Sequence, residues 1–160
     1  MEQQDFILND MDILNEGLRQ KAIECGLCAK WQTEWDSNRT PQELIEMWKR
    51  GIDFGIAHDF PSNDFIKSNF DRALLHKNLI FVDEHLNLDN AHNGIYVLNG
   101  DCSGTLHFRE WAAATVYVRH TSKVSIIAED FAKVFVRVYD EAEVNVCDVG
   151  DAVVKVYDRR

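Results

Sequence analysis

The C-terminal part of the chain, from Gly94 to Arg160, repeats a short pattern about every ten residues. Each copy begins with a small residue, continues with two apolar residues at alternating positions and ends in a polar or acidic turn. Seven copies fit the pattern, beginning at Gly94, Gly104, Ala114, Ser122, Ala132, Ala142 and Ala152. One step, from Ala114 to Ser122, is two residues short. Such a unit is one strand and one turn that buries its apolar face only by stacking on its neighbours, so the pattern predicts a β-solenoid.

The alternation within each copy favours strands over helices. Positions one, three and five are small or apolar and positions two and four are polar, which is the two-residue period of a strand. We therefore expect these inward side chains to be buried: Val134, Val136, Val144 and Val146. We expect these outward side chains to be exposed: Lys133, Arg137, Glu143 and Asn145. Turns are expected at the acidic or glycine pairs that follow the strands, near residues 129–130, 140–141 and 150–151.

Ten residues are too few for a complete coil. We therefore expect two units per coil, about twenty residues around, in a flattened solenoid with two faces. The alternative is an antiparallel meander that closes into a sandwich or barrel, because evenly spaced short strands are also typical of those folds. The solenoid is favoured, since a meander gives no reason to keep a small residue at the same place in every strand.

Two resemblances follow from these residues. The ten-residue pattern resembles β-solenoid proteins in general, including the bactofilin-type polymer-forming domains, although it lacks their Gly-rich turns. The chain as a whole resembles small uncharacterised proteins of gut Bacteroidales and their phages, through the segments Cys28-Ala-Lys-Trp31, Gly51-Ile-Asp-Phe54, His58-Asp-Phe-Pro61 and Val118-Arg-His120. This second resemblance implies a phage or mobile-element accessory protein, and it transfers no catalytic residue.

The N-terminal half predicts helices. Apolar residues spaced three and four apart indicate a helix from Asn9 or Asp10 that ends at Gly26. Thr40 followed by Pro41 supplies an N-cap and a first helical position for a second helix, which Gly51 ends. A short apolar run and a loop follow, and then Ser62 or Asn63 caps a further helix through Phe70 and on toward Leu75.

Residues 79–82 are predicted to form a strand, and residues 83–93 a linker into the repeats. The expected organisation is a helical head over residues 1–86 and a β-solenoid over residues 87–160, which is an α+β fold.

The charge is negative and unevenly distributed. The formal net charge is -10, and residues 1–90 carry 17 acidic and 9 basic side chains. Such a surface repels nucleic-acid phosphates and anionic lipid, so direct nucleic-acid and membrane binding are not expected. A basic protein surface, such as the nucleic-acid groove of another protein, remains available as a partner. The residues predicted to bind that partner are Glu43, Glu46, Asp53, His58 and Asp59.

The cysteines predict a reducing compartment. Four cysteines occur without a signal peptide or an apolar run that could span a membrane, so we expect free thiols and a cytoplasmic protein. Cys25 and Cys28 have the spacing of a redox or zinc half-site. However, they close a helix at Gly26, and no second Cys/His pair completes a zinc site. No metal and no cofactor are therefore predicted.

Polar residues converge locally in one loop, which contains Asp53, His58, Asp59 and Asp64. A His beside carboxylates can serve as a general base or a metal ligand, with His76 or His120 as further candidates. Capping of turns and helices explains the same residues. No nucleophile elbow, P-loop, dinucleotide-binding glycines or His-Glu-x-x-His pattern is present.

A macromolecular binding module without catalysis is therefore the leading hypothesis. Its specific form is an inhibitor of a host defence nuclease, as anti-CRISPR proteins are, acting through the acidic surface. The alternatives are a hydrolase or metal-dependent enzyme that uses the His58/Asp59 loop, and a structural, self-assembling solenoid.

Self-association is also expected. The last apolar strand position, Val156, lies four residues before Arg160, so the final coil presents an uncovered strand edge. Either the N-terminal helices fold back over this edge, or a second copy related by a two-fold axis covers it, and the second arrangement is favoured. The predicted homodimer interface contains Val154, Val156 and Tyr157.

Overall fold

The structure is a computed structural model that describes residues 10–35 and 39–160. The chain divides into two compact units between Phe70 and Asp71. The first, the helical unit, has an apolar core that includes Leu18, Leu44 and Met47. The second, the solenoid unit, has a separate core of stacked inward side chains. The fold is therefore α+β with a C-terminal solenoid, as the sequence predicts.

Five short helices form the described part of the helical unit: α1 (Asp10–Glu24), α2 (Ala29–Glu34), α3 (Pro41–Arg50), α4 (Ile52–Ala57) and α5 (Asn63–Asn69). Predicted caps are present. Gly26, with φ of 96°, ends the first helix, and the N–H of Leu27 donates back to the carbonyl of Ala22 at 3.0 Å. The hydroxyl of Thr40 accepts from the N–H of Glu43 at 3.2 Å. These bonds satisfy backbone groups that a helix end leaves without partners.

Two helix boundaries differ from the prediction. The apolar run after Gly51 is itself helical, as α4, so the loop begins only at His58. The helix capped by Ser62 ends at Phe70 instead of continuing toward Leu75. A new helix, α6 (Arg72–Lys77), begins there because the carboxylate of Asp71 accepts from the N–H of Ala73 at 3.3 Å. A competing N-cap divided one predicted helix into two.

Nine strands follow in the solenoid unit: β1 (Ile80–Val82), β2 (His85–Ala91), β3 (Gly94–Asn99), β4 (Ser103–Phe108), β5 (Ala113–Val118), β6 (Lys123–Ala128), β7 (Lys133–Val138), β8 (Glu143–Asp148) and β9 (Val153–Asp158). The odd-numbered strands form one parallel sheet in the order β1-β3-β5-β7-β9. The even-numbered strands form another in the order β2-β4-β6-β8. Consecutive strands thus alternate between two faces, and the structure is a β-solenoid of about four coils.

Each coil contains two ten-residue units. From Gly94 onward, residues twenty apart pair across neighbouring strands, for example Gly94 with Ala114 and Ala114 with Val134. Two units per coil and a flattened, two-faced shape are therefore confirmed. The alternative of an antiparallel meander is wrong, because every strand pair in the described chain is parallel.

The predicted linker over residues 83–93 is largely a strand. β2 pairs with β4 in parallel, and Leu86 packs into the solenoid core. This strand was not predicted because its outward residues and its C-terminal end are rich in Asn, Asp and His. The inward residues of β2 are Leu86, Leu88 and, after the bulge, Ala91.

The predicted two-residue slip in the repeat is also wrong. Buried small residues recur every ten positions with no slip, at Cys102, Ala112, Ser122, Ala132, Ala142 and Ala152. Gly104 and Ala114, taken as equivalents of these, lie two positions later, opposite Val124 and Val134. Because the shift is an even number of residues, it leaves the assignment of inward and outward faces unchanged.

The corners between strands share one backbone feature. From residue 100 onward, one residue in each corner has a φ between 55° and 73°, and these residues are ten apart: Gly100, Glu110, His120, Asp130, Asp140 and Gly150. This left-handed conformation is unfavourable for most side chains, and Gly, Asp and His are among the residues that adopt it most readily. In the following residues, an amide such as that of Ala132 donates to the carbonyl of Glu129 at 3.1 Å and closes the turn.

Side chains at these corners also join one coil to the previous one. The carboxylate of Asp130 accepts from the N–H of Glu110 at 2.9 Å, and that of Asp140 accepts from the N–H of His120 at 3.0 Å. The Nδ1 atom of His120 accepts from the N–H of Gly100 at 2.8 Å. The corners therefore carry a hydrogen-bonded ladder of their own beside the two sheet ladders.

Burial of the inward valines changes abruptly at the last coil. Val134 and Val136 are fully buried, as predicted. Val144 is only half-buried and Val146 is 39% exposed, contrary to prediction, because the coil that contains them has a neighbouring coil on one side only. On the outward side, Lys133, Glu143 and Asn145 are exposed as predicted, whereas Arg137 is half-buried over the ring of Tyr117.

The position of a valine in the stack of coils determines how much a Val→Asp substitution lowers the free energy of unfolding. We predict that Val134→Asp lowers the free energy of unfolding by about 4 kcal/mol, since it buries an unpaired carboxylate. Val144→Asp should cost about 1 kcal/mol, because water reaches that position. Thermal unfolding followed by circular dichroism measures both, with the exposed substitution Asn145→Asp as control. Equal losses for the two valines would contradict the burial described here.

Candidate functional site

The five predicted partner-binding residues all lie on the surface of the helical unit. Glu43 and Glu46 are on α3, three residues apart and therefore on one side of the helix, and Asp53 is in the first turn of α4. His58 caps the C-terminus of α4, and Asp59 follows with φ of 47°. All five side chains are exposed.

The acids on this surface are not neutralised. Residues 1–70 carry 13 acidic and 7 basic side chains. Among the described residues, Glu43, Glu46 and Asp53 form no ion pair, and Glu46 instead accepts a hydrogen bond from the amide of Gln42 at 2.9 Å. Three carboxylates on α3 and α4 thus remain available to a cationic partner.

The residues considered for catalysis have structural contacts. The ring of His58 packs against Phe54 with centroids 4.6 Å apart, and Asp64 lies 4.0 Å from the amino group of Lys67. Within the solenoid unit, His76 bonds the carboxylate of Glu84 at 2.7 Å, and His120 belongs to the corner ladder. In the described parts of the chain, no three His, Cys, Asp or Glu side chains are grouped so that they could hold a metal ion.

The four cysteines are free thiols with different surroundings. Cys28 and Cys147 are exposed, Cys25 is half-buried and Cys102 is fully buried. Burial raises the pKa of the Cys102 thiol, and nearby hydrogen bonds oppose this only in part. The thiol points at the carbonyl of Asn99, 3.3 Å away.

The residues predicted to form a dimer interface lie on the last coil. Val154 is half-buried, whereas Val156 and Tyr157 are 48% and 41% exposed. Beside them the carboxylate of Asp158 bonds the guanidinium of Arg160 at 2.8 Å, which lowers the pKa of Asp158 to about 2. The last coil therefore combines an exposed apolar surface with a charged edge.

A further surface, which sequence reasoning missed, lies where the corresponding corners of the first and second coils are neighbours. Between paired positions, the first coil runs from Ala91 to Gly94, whereas the second runs from Phe108 to Ala114 and so contains three more residues. The longer corner extends beyond the shorter one and leaves a groove, which we call the corner groove. It has a volume of about 390 Å³ and is lined by Asn90, Ala91, His92, Asn93, Arg109, Glu110, Trp111 and Ala112.

Trp111 is the most exposed aromatic residue of this groove, at 75%. Its indole stacks on the ring of Phe131, twenty residues later, with centroids 4.3 Å apart and planes 11° apart. The sequence alone could have indicated that Trp111 and Phe131 are exposed aromatic residues at corners. The equivalent corner positions in other coils are polar (Thr121, Glu141 and Asp151), so a large exposed aromatic stands out against them.

Ionic contacts hold the polar side of the same corner. His107 Nε2 lies 2.7 Å from the carboxylate of Glu129, and Arg109 donates to His107 Nδ1 at 3.1 Å. Because a guanidinium has donors only, Nδ1 is the accepting nitrogen and Nε2 carries the proton donated to Glu129. Arg109 also lies 4.0 Å from the carboxylate of Asp89.

Comparison with known proteins assigns no family to this chain. No protein-family model, no curated protein and no solved structure matches it. The resemblance to proteins of gut Bacteroidales and their phages has no support from these comparisons. Among the described helices, none is long and apolar enough to cross a membrane.

The cysteine environments predict selective alkylation. At about pH 8, iodoacetamide should modify Cys28 and Cys147 rapidly and leave Cys102 intact, because burial both shields that thiol and suppresses its thiolate form. Mass spectrometry of tryptic peptides measures this, and denaturation before labelling is the control that exposes every thiol. Rapid labelling of Cys102 in the folded protein would contradict the packing around it.

Proposed function

We propose that this protein is a macromolecular binding module that acts without catalysis, through the acidic surface of its helical unit. The observation that carries the proposal is the exposure of Glu43, Glu46 and Asp53, which form no ion pair with any residue that the structure describes. A concentrated negative surface of this kind accelerates association with a basic partner and suppresses association with acidic ones. His58 and Asp59 border the acids along the chain and complete the proposed contact surface.

The partner that suits this chemistry is a protein with a basic groove that normally holds nucleic acid. In its most specific form, the module is a phage or mobile-element inhibitor of a host defence nuclease, comparable to anti-CRISPR proteins. The acidic surface supports the groove-binding part of this proposal. The phage origin rests only on the sequence resemblance.

Charge reversal tests the acidic surface. The triple variant Glu43→Lys, Glu46→Lys and Asp53→Lys should lose captured nucleic-acid-binding proteins from a bacterial lysate at low salt, because the steering charge is inverted. A matched variant reverses three exposed acids of the solenoid unit, Asp101, Glu141 and Asp151, and changes the net charge equally. This matched variant should retain the captured proteins. Duplex DNA added as a competitor should release the captured proteins from the unmodified protein.

Two outcomes would oppose the proposal. If capture of the partner proteins does not depend on salt or on reversal of Glu43, Glu46 and Asp53, the acidic surface does not bind the partner. If the protein hydrolyses a substrate or binds one metal ion per chain, and His58→Ala or Asp59→Ala abolishes this, the protein is an enzyme that uses the His58/Asp59 loop and the binding-module proposal is wrong.

We also propose that the 160-residue chain forms a homodimer through its last coil. The supporting observation is the exposure of inward valines on β8 and β9, together with Tyr157 beside them. The outer edges of both strands carry backbone groups that no further strand pairs within the described chain. A two-fold axis would bring identical edges together and cover the same valines on both copies.

Light scattering at micromolar concentration tests the dimer. The expected mass is twice the 18.5 kDa of one chain. Val156→Asp, or Val154→Asp, should restore the single-chain mass, because it places a carboxylate in the apolar contact, whereas the exposed corner substitution Thr121→Asp should not. A single-chain mass for the unmodified protein would refute the dimer, and concentration-dependent polymers would favour the self-assembling alternative.

A further inference from the structure

We propose that the corner groove binds a neutral saccharide, with one sugar ring stacked on the face of Trp111 that does not contact Phe131. This site lies in the solenoid unit and is independent of the acidic surface proposed above. It rests on the geometry of the corner, on the free indole face and on the balance of polar groups around it.

One face of the Trp111 indole is available and the other is not. Phe131 belongs to the following coil and stacks on one face at 4.3 Å. Because Trp111 is still 75% exposed although one face is stacked, its other face is open to solvent. The chain of the preceding coil turns from Ala91 to Gly94 in three fewer residues. Trp111 lines the groove, so we place the groove along this open face, and the stack with Phe131 holds the indole in place. A rigid, exposed aromatic plane beside a cleft is a preorganised stacking surface.

The backbone that borders the groove is held firmly. The Tyr96 hydroxyl donates to the carbonyl of His92 at 2.7 Å, and the side-chain carbonyl of Asn93 accepts from the N–H of Ala113 at 2.7 Å. On the same segment of the first coil, β2 contains a bulge between Leu88 and Ala91, and Asn90 within it lines the groove. Bulges commonly turn a side chain toward a functional site.

The polar groups at the groove suit hydroxyl groups. With its carbonyl oxygen engaged, Asn93 presents its NH₂ group as a donor. His92 uses Nδ1 to donate to the carbonyl of Asn93, so the neutral ring presents Nε2 as an acceptor. Glu110 adds an exposed carboxylate as a further acceptor. Donors and acceptors side by side, next to an aromatic plane, match a ring whose edge carries hydroxyls and whose face carries C–H groups.

The charges at the groove disfavour an anionic ligand. Its one guanidinium, Arg109, already contacts His107 and lies within 4.0 Å of Asp89 and Glu129. Glu110 adds a negative charge beside it, and the whole chain carries -10. A phosphate or a nucleotide would therefore meet repulsion without a free cation to compensate, whereas a neutral saccharide would not.

Binding can be measured directly on the unmodified 160-residue protein. The probes are neutral hexasaccharides of glucose, mannose, xylose and N-acetylglucosamine, added up to about 10 mM. The ¹H–¹⁵N spectra report the indole N–H signals and, in every variant, the backbone amide signals of Asn93 and Ala112 beside the groove. At least one probe should shift the Trp111 indole signal in a saturable manner. Trp111→Ala should weaken that binding by tenfold or more, and Trp111→Phe should recover part of it, since it restores an aromatic plane.

The control is Phe135→Ala, which removes another exposed aromatic residue, on the outward face of β7, and should leave the affinity unchanged. Equal melting temperatures for Trp111→Ala and the unmodified protein establish that the loss is not unfolding. Three results would overturn the proposal: no shift with any probe, binding retained in Trp111→Ala, or saturable binding of an inorganic phosphate or mononucleotide at the same indole in preference to the sugars.

Discussion

The solenoid unit depends on the stacking of each coil on the previous one in a twenty-residue register. That register is enforced at the corners as well as in the sheets. Every tenth residue from 100 to 150 adopts a left-handed conformation, and at Asp130 and Asp140 the side chain of that residue also binds an amide twenty residues earlier. A shift by one residue would place a strained conformation on the wrong side chain and turn the valines outward. Corner and strand therefore select the same arrangement.

The surfaces proposed to function follow from departures from this regularity. The corner groove exists because the first coil is shorter than the second at one corner, which leaves Trp111 largely exposed beside it. The last coil exposes valines because the stack ends there within the described chain. The acidic surface belongs to the separate helical unit, where caps at Thr40 and Ser62 determine which side chains of the short helices reach solvent.

Much of this architecture could be predicted from local pattern. Alternation of valines predicted the strands and their inward faces, and the ten-residue length of the unit predicted two units per coil. Gly26 and Thr40 predicted helix ends. What failed depended on nonlocal information. The strand β2 has a polar outward face, and it belongs to the solenoid because it pairs with β4 and Leu86 packs into the solenoid core. The apparent slip at Ser122 arose because two kinds of small residue were counted together. Gly104 and Ala114 lie within strands, opposite Val124 and Val134, whereas Ala112 and Ala132 lie at the turns. The exposure of Val146 depends on its place in the stack, which its local sequence does not reveal.

The candidate sites divide in the same way. Exposure of Glu43 and Glu46 could be predicted, since helical periodicity separates them from the apolar face formed by Leu44 and Met47. Asp53 lies on α4, a helix that was not predicted. The corner groove could not, because it requires the lengths of two neighbouring corners to be compared in three dimensions. Trp111 stood out by residue type alone, and only the pairing of Ala91 with Phe108 and of Gly94 with Ala114 shows what lies beside it.

The register itself is tested most directly by cross-linking. In a variant without its native cysteines, Ser125→Cys and Asn145→Cys occupy paired positions on neighbouring strands. Their Cα atoms should be about 4.8 Å apart, within the range that a disulfide spans. We expect mild oxidation to link this pair within one chain and leave the melting temperature unchanged or higher. A pair displaced by two residues, Ser125→Cys with Glu143→Cys, should link poorly, since its separation is about 8 Å. Preferential linkage of the displaced pair would contradict the twenty-residue register.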